Sequence, residues 1–358
     1  MTRRGPSMAI RPAEPPADAA TMDLLPRLVP LGANLWGASF TLMKLLPARH
    51  ILATAVHTGE LRPNTMIVES TSGTFGLALA VTAVHLRRRL TLVTDPAMDA
   101  RLCRRVADLG ATIEMCATPS ALGEYQTVRL ARLAQIRARH PDTFWPRQYD
   151  NPLNPASYAV LADHLVDRLG AVDALIGPVG SGGSMCGTAT ALRRHHSRLV
   201  AVAVDTPGSM LFGQRDRYRE LRGLGNSVLP ANLDHTAFDE VHWCPPGVAY
   251  HATRWLHRRH ALFHGPTSGA AMAVARWWSV RNPHMLAVVL LPDLGDRYLD
   301  TVYDDGWLDA EPSRRVVPTE PSEVTRPTGT PDWTWIRWAR RRLPEVLDAD
   351  EPAGFPGS

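Results

Sequence analysis

One lysine, Lys44, is the first residue of this chain whose chemistry calls for an explanation. It lies in the segment SFTLMKLLPAR, residues 39–49, and none of the other 357 positions holds a lysine. Lysine and arginine together number 39, so the remaining 38 are arginines. Arginine stays protonated, whereas a lysine among apolar neighbours can lose its proton and form a Schiff base with an aldehyde. Either the chemistry requires this amine, or an arginine-rich codon usage spared one lysine by chance.

A glycine-rich turn with the sequence GPVGSGGSMCG, residues 177–187, follows an apolar run. Its glycines and hydroxyl residues are Gly180, Ser181, Gly182, Gly183 and Ser184. Glycines let backbone N–H groups converge at the start of the helix that follows, which is typical of a phosphate cradle. The signal is weak on its own, because such turns also serve packing. The turn matches neither the dinucleotide fingerprint nor the P-loop pattern.

Two further turns carry hydroxyl groups at predicted helix starts. They are STSGTFG, with Thr71, Ser72, Gly73 and Thr74, and GPTSGAA, with Thr267 and Ser268. Free N–H groups at a helix start bind a carboxylate well, although either turn could equally be an ordinary N-cap. A lysine amine, a phosphate cradle, a carboxylate cradle and a hydroxyl turn together indicate an amino acid beside a phosphorylated aldehyde. Pyridoxal phosphate fits all four.

Short β-type runs alternate with helical patterns and must position these turns. The predicted strands are residues 65–69, 90–94, 111–115, 173–177, 199–205 and 286–292, and the predicted helices include 76–87, 99–109, 124–139 and 156–169. This alternation predicts an α/β fold with a largely parallel sheet. In such sheets ligands bind at the carboxyl ends of the strands, where all three turns lie.

Composition excludes several other classes of protein. The net charge is +4, but the arginines are scattered among acidic residues, so we expect no nucleic-acid partner. No run of 18 apolar residues predicts a membrane span, and the first 21 residues lack the apolar core of a signal peptide. The four cysteines and 14 histidines show no metal-ligand spacing, so we expect no metal and reduced thiols in a cytoplasmic protein.

The ends of the chain differ in composition from its body. Residues 1–22 are rich in Pro and Ala and predict a disordered tail, and residues 23–310 form the predicted catalytic region. We expect residues 311–330 to be a Pro-rich linker and residues 331–358 an amphipathic tail with one helix over 331–347. A linker of this kind would make residues 311–358 dispensable for folding and cofactor binding.

Five ordered motifs resemble the cysteine synthase family, which also includes cystathionine β-synthase. They are TSGTFG (71–76), QYDNPLNP (148–155), GSGGS (180–184), GPTSGAA (265–271) and LGDRYLDT (294–301). Lys44 lies 27 residues before Thr71, where the family has its Schiff-base lysine. The resemblance implies fold type II, like the tryptophan synthase β chain: two open, twisted, mostly parallel sheets flanked by helices, with pyridoxal 5'-phosphate between them. It also implies a smaller subdomain at about 50–160, a larger one at about 161–310, and a homodimer.

The resemblance also implies roles for the motif residues. Lys44 would bind the cofactor and later move the substrate's α-proton. The cofactor phosphate would be held by Gly180, Ser181, Gly182, Gly183 and Ser184. The substrate carboxylate would be bound by Thr71, Ser72, Gly73 and Gln148. Thr267 would face the pyridine nitrogen, and Thr74 stands where relatives have an asparagine that contacts the cofactor.

The implied reaction is β-replacement on an O-activated L-serine, O-acetylserine or O-phosphoserine, through an α-aminoacrylate. We favour a sulfur nucleophile, sulfide or thiosulfate, giving cysteine or S-sulfocysteine, because Phe75 indicates an apolar pocket. Three alternatives stay open: a diaminopropionate-type synthase that uses an amine, a serine dehydratase or lyase, and a non-catalytic pyridoxal phosphate-binding scaffold. A nucleotide-binding Rossmann protein would leave Lys44 without a purpose.

Overall fold

The computed structural model describes residues 24–119, 125–221, 223–315 and 317–347. The predicted disordered tail, residues 1–22, and the last residues of the predicted amphipathic tail, 348–358, lie outside the described residues. Within those residues, no helix is both long and apolar enough to cross a membrane.

The chain folds into two sheets flanked by helices. The strands are β1 (Arg27–Pro30), β2 (Leu35–Ser39), β3 (Met66–Ser70), β4 (Leu90–Thr94), β5 (Thr112–Met115), β6 (Thr143–Phe144), β7 (Ala174–Pro178), β8 (Val200–Asp205), β9 (Glu240–Trp243), β10 (Ala287–Leu291), β11 (Ser322–Glu323) and β12 (Thr334–Arg337). The helices are α1 (Leu45–His57), α2 (Thr74–Leu86), α3 (Ala100–Asp108), α4 (Tyr125–Arg139), α5 (Leu153–Ala156), α6 (Ala159–Leu169), α7 (Gly183–His195), α8 (Pro246–His260), α9 (Pro266–Arg281), α10 (Asp305–Asp309) and α11 (Leu343–Leu347).

The smaller sheet has four parallel strands in the order β5-β4-β3-β6. One face packs on α1, α2 and α3, where Ile67 and Leu92 are fully buried. Val68 and Val93 point to the opposite face and pack on α4 through Leu133. Because successive strand residues point to opposite faces, burial on both faces gives the near-continuous apolar runs seen in the sequence.

The larger sheet has eight strands in the order β1-β2-β10-β7-β8-β9-β12-β11. Its five strands from β2 to β9 in this order are parallel to one another, whereas β1 and β12 pair antiparallel with the two outer members of this group. Ala201 and Ala203 of β8 belong to the core under α6 and α7, whereas Val202 and Val204 belong to the core under α8 and α9. The carboxyl ends of these strands and those of the smaller sheet carry the turns that sequence analysis singled out.

The predicted α/β class with parallel sheets is confirmed. The six predicted strands are all present, and their bounds differ by one residue or less. The predicted helix over residues 156–169 is wrong in its first turn, because α5 ends at Ala156 and α6 begins at Ala159. Pro155 lies in α5, and a Cβ built on Gly187 of α7 would lie 2.1 Å from its carbonyl oxygen, so the short helix packs closely on α7.

The predicted helix over residues 331–347 is also wrong. Residues 334–337 form strand β12, which pairs antiparallel with β9, and only Leu343–Leu347 is helical. Thr334, Ile336 and Trp338 are buried, whereas Arg337 is exposed, and this alternation is the period of a strand. Aromatic and β-branched residues favour a strand once a neighbouring edge is available for pairing. The segment is therefore part of the larger sheet, and the expectation that it is dispensable for folding loses its basis.

Candidate active site

A cavity of about 880 Å³ lies between the carboxyl ends of the two sheets. Eight of the predicted site residues line it: Lys44, Thr71, Ser72, Gly73, Thr74, Gln148, Gly180 and Ser181. The other four, Gly182, Gly183, Ser184 and Thr267, are not in its lining. Residues from segments 137 positions apart meet here, since the Lys44 Nζ amine donates a hydrogen bond of 3.3 Å to Ser181 Oγ.

Lys44 is placed by the start of α1, for which it is the N-cap residue. Leu45 and Leu46 follow it into the core, which orients the preceding side chain toward the cavity. Removal from water disfavours the charged amine and lowers the pKa of Lys44 to about 8. About one tenth of the amine is therefore neutral at pH 7, far more than at the ordinary lysine pKa, and this is the form that attacks an aldehyde or accepts a proton.

The glycine-rich turn between β7 and α7 has the shape of an anion cradle. Gly182 has a φ of +81°, and a Cβ there would lie 2.7 Å from the Leu233 Cα. A Cβ at Gly183 would lie 2.2 Å from the Asn154 Oδ1, so neither position accepts a side chain. The first N–H groups of a helix have no acceptor within it, and those of α7 begin here. These features fit a phosphate group.

The turn after β3 forms the wall opposite that cradle. Gly73 is the N-cap of α2, and its N–H donates to Thr71 Oγ1 over 3.3 Å. No atom lies within 4 Å of a Cβ built on Gly73, because the residue faces the open cavity. Ser72 and Thr74 are partly exposed there. This wall offers hydroxyl groups and a helix start to a carboxylate.

Gln148 is fixed by a buried carboxylate beneath the turn. Glu69, the fourth residue of β3, accepts hydrogen bonds from the Trp145 Nε1 at 2.9 Å and the Ser70 N–H at 2.8 Å. The backbone N–H of Gln148 also donates to Glu69, over 3.4 Å. Burial raises the pKa of Glu69 to about 7, although these hydrogen bonds oppose the shift. Sequence reasoning missed Glu69, since it reads as one polar residue inside an apolar strand.

Thr267 lies behind the cavity wall, in the first turn of α9. It is 7% exposed, and a Cβ built on Gly223, which does line the cavity, would be 3.7 Å from Thr267 Oγ1. Phe75 lines the cavity but is only 2% exposed and belongs to the core under the smaller sheet. Charged and hydroxyl side chains line the same cavity as Phe75, so its lining is mixed in character.

Sequence reasoning also missed a buried ion pair beside the β3 turn. Arg129 Nε lies 3.2 Å from Asp95 Oδ2, and both side chains are less than 10% exposed. Arg129 also donates to Ser72 Oγ over 2.9 Å, which ties the pair to the predicted carboxylate turn. Asp95 follows β4 directly and could have been found as a strand-end residue. Arg129 gave no such signal, since it is one of many arginines in helical patterns.

The facing wall carries further arginines from the segment after β8. Arg217 and Arg219 line the cavity, together with Asp216. Arg219 bonds to Asp216 Oδ1 and to Ser227 Oγ, each at 2.6 Å, and so links two parts of the wall. Arg217 donates to the carbonyl oxygen of Gly329 over 3.1 Å. The cavity is therefore bordered by guanidinium groups on both sides.

Residues outside the cavity do not suggest other catalytic chemistry. In the described part of the chain, no three His, Cys, Asp or Glu residues are grouped to hold a metal ion. All four cysteines are free thiols. Burial raises the pKa of Cys186 to about 12, which removes it as a nucleophile near neutral pH.

Comparison with known proteins identifies the chemistry that this geometry serves. The model of the family described as pyridoxal-phosphate dependent enzymes matches residues 40–284, more than half of the chain. The chain belongs to this family. It is also 35% identical over 308 residues to N-(2-amino-2-carboxyethyl)-L-glutamate synthase of Cupriavidus metallidurans, with 84% of this chain and 88% of that relative covered. The protein is thus a pyridoxal phosphate-dependent synthase.

Solved structures confirm the fold of this pyridoxal phosphate-dependent enzyme. An O-acetylserine-dependent cystathionine β-synthase of Helicobacter pylori superposes with a TM-score of 0.71 at 25% identity, covering 77% of this chain and 94% of the other. A hydrogen sulfide-producing enzyme of Fusobacterium nucleatum superposes with a TM-score of 0.73 at 24% identity. The match covers 79% of this chain and 99% of the other. The predicted fold type II class and the resemblance to the cysteine synthase and cystathionine β-synthase group are confirmed.

Proposed function

We propose that this enzyme replaces the β-substituent of an O-activated L-serine with the amine of an acidic amino acid. The favoured donor is O-phospho-L-serine, whose phosphate group is negatively charged before it leaves. The favoured nucleophile is L-glutamate, which would give N-(2-amino-2-carboxyethyl)-L-glutamate. The name of the relative at 35% identity supports this product, and the charges around the cavity support both substrates.

The observation that carries the proposal is Arg129 beside the β3 turn. Among the described residues its polar partners are Ser72 and Asp95. A guanidinium has five N–H donors in a planar fork, so donors remain for an anionic group in the cavity. A phosphate ester is negatively charged both before and after it leaves, whereas an acetate ester becomes an anion only on leaving, so this guanidinium would bind the phosphate donor more tightly.

The facing wall suits the second substrate. Arg217 and Arg219 supply positive charge about a cavity of about 880 Å³, near the upper end of the usual size for a small-molecule site. A dicarboxylic amino acid has two negative groups to bind and one amine to present. Sulfide or thiosulfate would leave most of the charged groups of this wall without a ligand. We therefore propose an amine as the nucleophile, in place of the sulfur nucleophile that was expected from Phe75.

We propose that the motif residues divide the remaining work. Gly180, Ser181, Gly182, Gly183 and Ser184 would hold the cofactor phosphate, and Thr267 would lie on the side of the ring nitrogen. Thr71, Ser72, Gly73 and Gln148 would bind and orient the donor's carboxylate. Bound pyridoxal phosphate supplies an electron sink that makes the donor's α-proton acidic. The neutral Lys44 amine would accept that proton, consistent with its pKa of about 8.

Homodimer formation and a cytoplasmic location are further parts of the proposal. The four free thiols agree with a reducing compartment. We also propose that the catalytic region divides into a smaller subdomain at about 50–160 and a larger one at about 161–310. The first range contains all four strands of the smaller sheet, and the second contains four of the eight strands of the larger sheet.

A donor and nucleophile matrix tests this function. Purified enzyme is given O-phosphoserine, O-acetylserine or serine, each with L-glutamate, L-glutamine, sulfide, thiosulfate or no nucleophile, and products are identified by mass. We expect the highest kcat/KM with O-phosphoserine and L-glutamate. L-glutamine is the matched control, because it has the same amine and one carboxylate fewer. A faster reaction with sulfide or thiosulfate than with L-glutamate would instead support the sulfur nucleophile expected from the sequence.

Two results would replace the proposed class of reaction. Pyruvate formation at the same rate without any nucleophile would indicate a lyase. Cofactor binding without exchange of the donor's α-proton would indicate a non-catalytic scaffold.

A further inference from the structure

A second cavity, of about 760 Å³, lies on α8 and shares no lining residue with the active site. Its walls come from α8, from α10 and from the turn Pro312–Arg314 that follows. Five arginines border it: Arg254, Arg258, Arg259, Arg314 and Arg315. Asp305, Asp309 and His251 also line it. So many guanidinium groups around one concave surface require a counter-charge.

The helix brings these charges together by its period. His251, Arg254 and Arg258 are three and four residues apart, so they occupy one face of α8. Like charges at these spacings repel, by roughly 0.2–0.5 kcal/mol per pair in isolated helices. The positive potential acts on His251: burial lowers its pKa first, and the charges of Arg254 and Arg258 lower it further.

The carboxylates nearby neutralise only part of this charge. Asp305 pairs with Arg254, which is only 16% exposed. Glu220 pairs with Arg314 at 2.5 Å, and Asp309 pairs with Arg315 at 2.9 Å. Arg258 and Arg259 have no carboxylate partner among the residues that the structure describes. Two guanidinium groups therefore remain available at the rim of the cavity.

The position of these two arginines in the last turn of α8 has a simpler explanation, since the helix dipole favours cations there. That effect accounts for their presence at a helix end. It does not explain why they converge with Arg314, which comes from another element and is held in place by Glu220 and by the ring of Trp307, 3.6 Å from its centroid. Convergence of arginines from two elements is typical of a site that binds a multiply charged anion.

We propose that this second cavity binds a compact dianion of the phosphate kind, with Arg258 and Arg259 as the principal contacts. A tetrahedral anion can accept paired hydrogen bonds from planar guanidinium groups. The concave shape suits a small molecule more than an extended acidic chain. The inference does not depend on which donor or nucleophile the active site uses.

Isothermal titration calorimetry with inorganic phosphate tests the site directly. The protein is the holoenzyme saturated with pyridoxal phosphate, which occupies the phosphate cradle beside Lys44. The variants compared below separate the second cavity from the proposed position of the donor's phosphate beside Arg129. Glycerol 3-phosphate is titrated in parallel, and this comparison shows whether free phosphate or a phosphate monoester binds more tightly. Sodium chloride at matched ionic strength controls for general screening.

The decisive comparison is between two double variants. R258Q/R259Q removes the unpaired guanidinium groups, and R104Q/R105Q removes two exposed arginines near the end of α3 that border neither cavity. We expect the affinity for phosphate to fall about tenfold or more in the first variant and to be unchanged in the second. The proposal would be overturned if R258Q/R259Q kept the parent's affinity, or if R104Q/R105Q lost as much affinity as R258Q/R259Q. It would also be overturned if sodium chloride gave the same heat as phosphate, or if the parent showed no saturable binding of phosphate.

Discussion

The two walls of the active-site cavity are built in different ways. The wall on the smaller sheet holds Ser72, Asp95 and Arg129 in a buried network of short contacts. The wall on the larger sheet is the segment with Arg217 and Tyr218, both exposed. The first wall is fixed by one buried ion pair, which joins the turn after β4 to helix α4 on the same sheet. The second wall is buried at its two ends, at Phe212 and Leu221, whereas the exposed stretch between them needs contacts from elsewhere to hold its position.

The C-terminal segment supplies that position. Gln214 donates to the carbonyl oxygen of Thr328, and Arg217 donates to that of Gly329 over 3.1 Å. A Cβ at Gly213 would lie 2.7 Å from Leu347, which shows how closely the two segments pack. Strand β12 fixes this segment in turn by pairing with β9. One wall is thus local in sequence, and the other depends on residues more than 100 positions away.

Lys44→Arg should have the largest effect, because Lys44 reaches from α1 to Ser181 and so joins the two sides. The charge is kept, but a guanidinium neither forms an imine readily nor accepts a proton at neutral pH. We expect α-proton exchange to fall by orders of magnitude. Borohydride should attach the cofactor to the parent and not to the variant, as read by mass. A normal rate with covalent attachment in the variant would contradict the role of Lys44.

Trp338→Ala should destabilise the second wall most. Trp338 is fully buried, packs edge-on against Phe212 with ring centroids 5.3 Å apart, and donates from Nε1 to the Arg341 carbonyl. Truncation of such a side chain costs about 3–5 kcal/mol in the free energy of unfolding. Denaturant titration measures this loss. The neighbouring exposed Arg337→Ala is the control and should stay within about 0.5 kcal/mol of the parent.

Removing one arginine from each wall compares them directly. Arg129→Ala leaves Asp95 buried without its cation, so we expect a loss of about 3–5 kcal/mol in the free energy of unfolding and a higher KM for the donor. Arg217→Ala removes an exposed side chain and should change stability by less than about 0.5 kcal/mol. In the Arg217→Ala variant, the KM should rise for the nucleophile and not for the donor. Equal losses of stability in the two variants would mean that the walls are built alike.

The pH dependence of stability tests the first wall through Glu69. Burial raises its folded-state pKa to about 7, above the ordinary value of 4.5. Its contribution is therefore fully present below about pH 4.5 and is lost as the pH rises through 7, by on the order of 3 kcal/mol. Glu69→Gln should make the fall in unfolding free energy between pH 5 and 8 shallower. The exposed Glu60→Gln should keep the parent's slope, and an identical slope in both variants would refute the assignment.

Thr74→Asn should have the smallest effect. Thr74 is the first residue of α2, partly exposed toward the cavity, and relatives have asparagine there. We expect kcat/KM to fall less than about tenfold, or ~1.4 kcal/mol in the barrier. Steady-state kinetics with the preferred donor decide the point. A loss of several orders of magnitude would show that the turn is built around the threonine.

Sequence alone predicted what depends on local patterns. The strands, the glycine-rich turn at 180–184 and the isolated Lys44 each carry their signal within a few residues. Arg129 could not be recognised, because its place at the cavity depends on how α4 packs under the smaller sheet. β12 could not be recognised either, since its partner β9 lies some 90 residues earlier, and an isolated pattern of tryptophans at 333, 335 and 338 suits a helix as well as a strand.

The pairing of β12 with β9 also bears on the order in which the protein can fold during synthesis. β9 is synthesised well before β12, the strand that covers its outer edge. The N–H and C=O groups on that edge therefore stay unpaired while α8, α9 and β10 are made. An uncovered strand edge is a template for pairing with another nascent chain. Completion of the last described strand thus ends a period of exposure to aggregation, and chains that stall before residue 334 should depend most on chaperones.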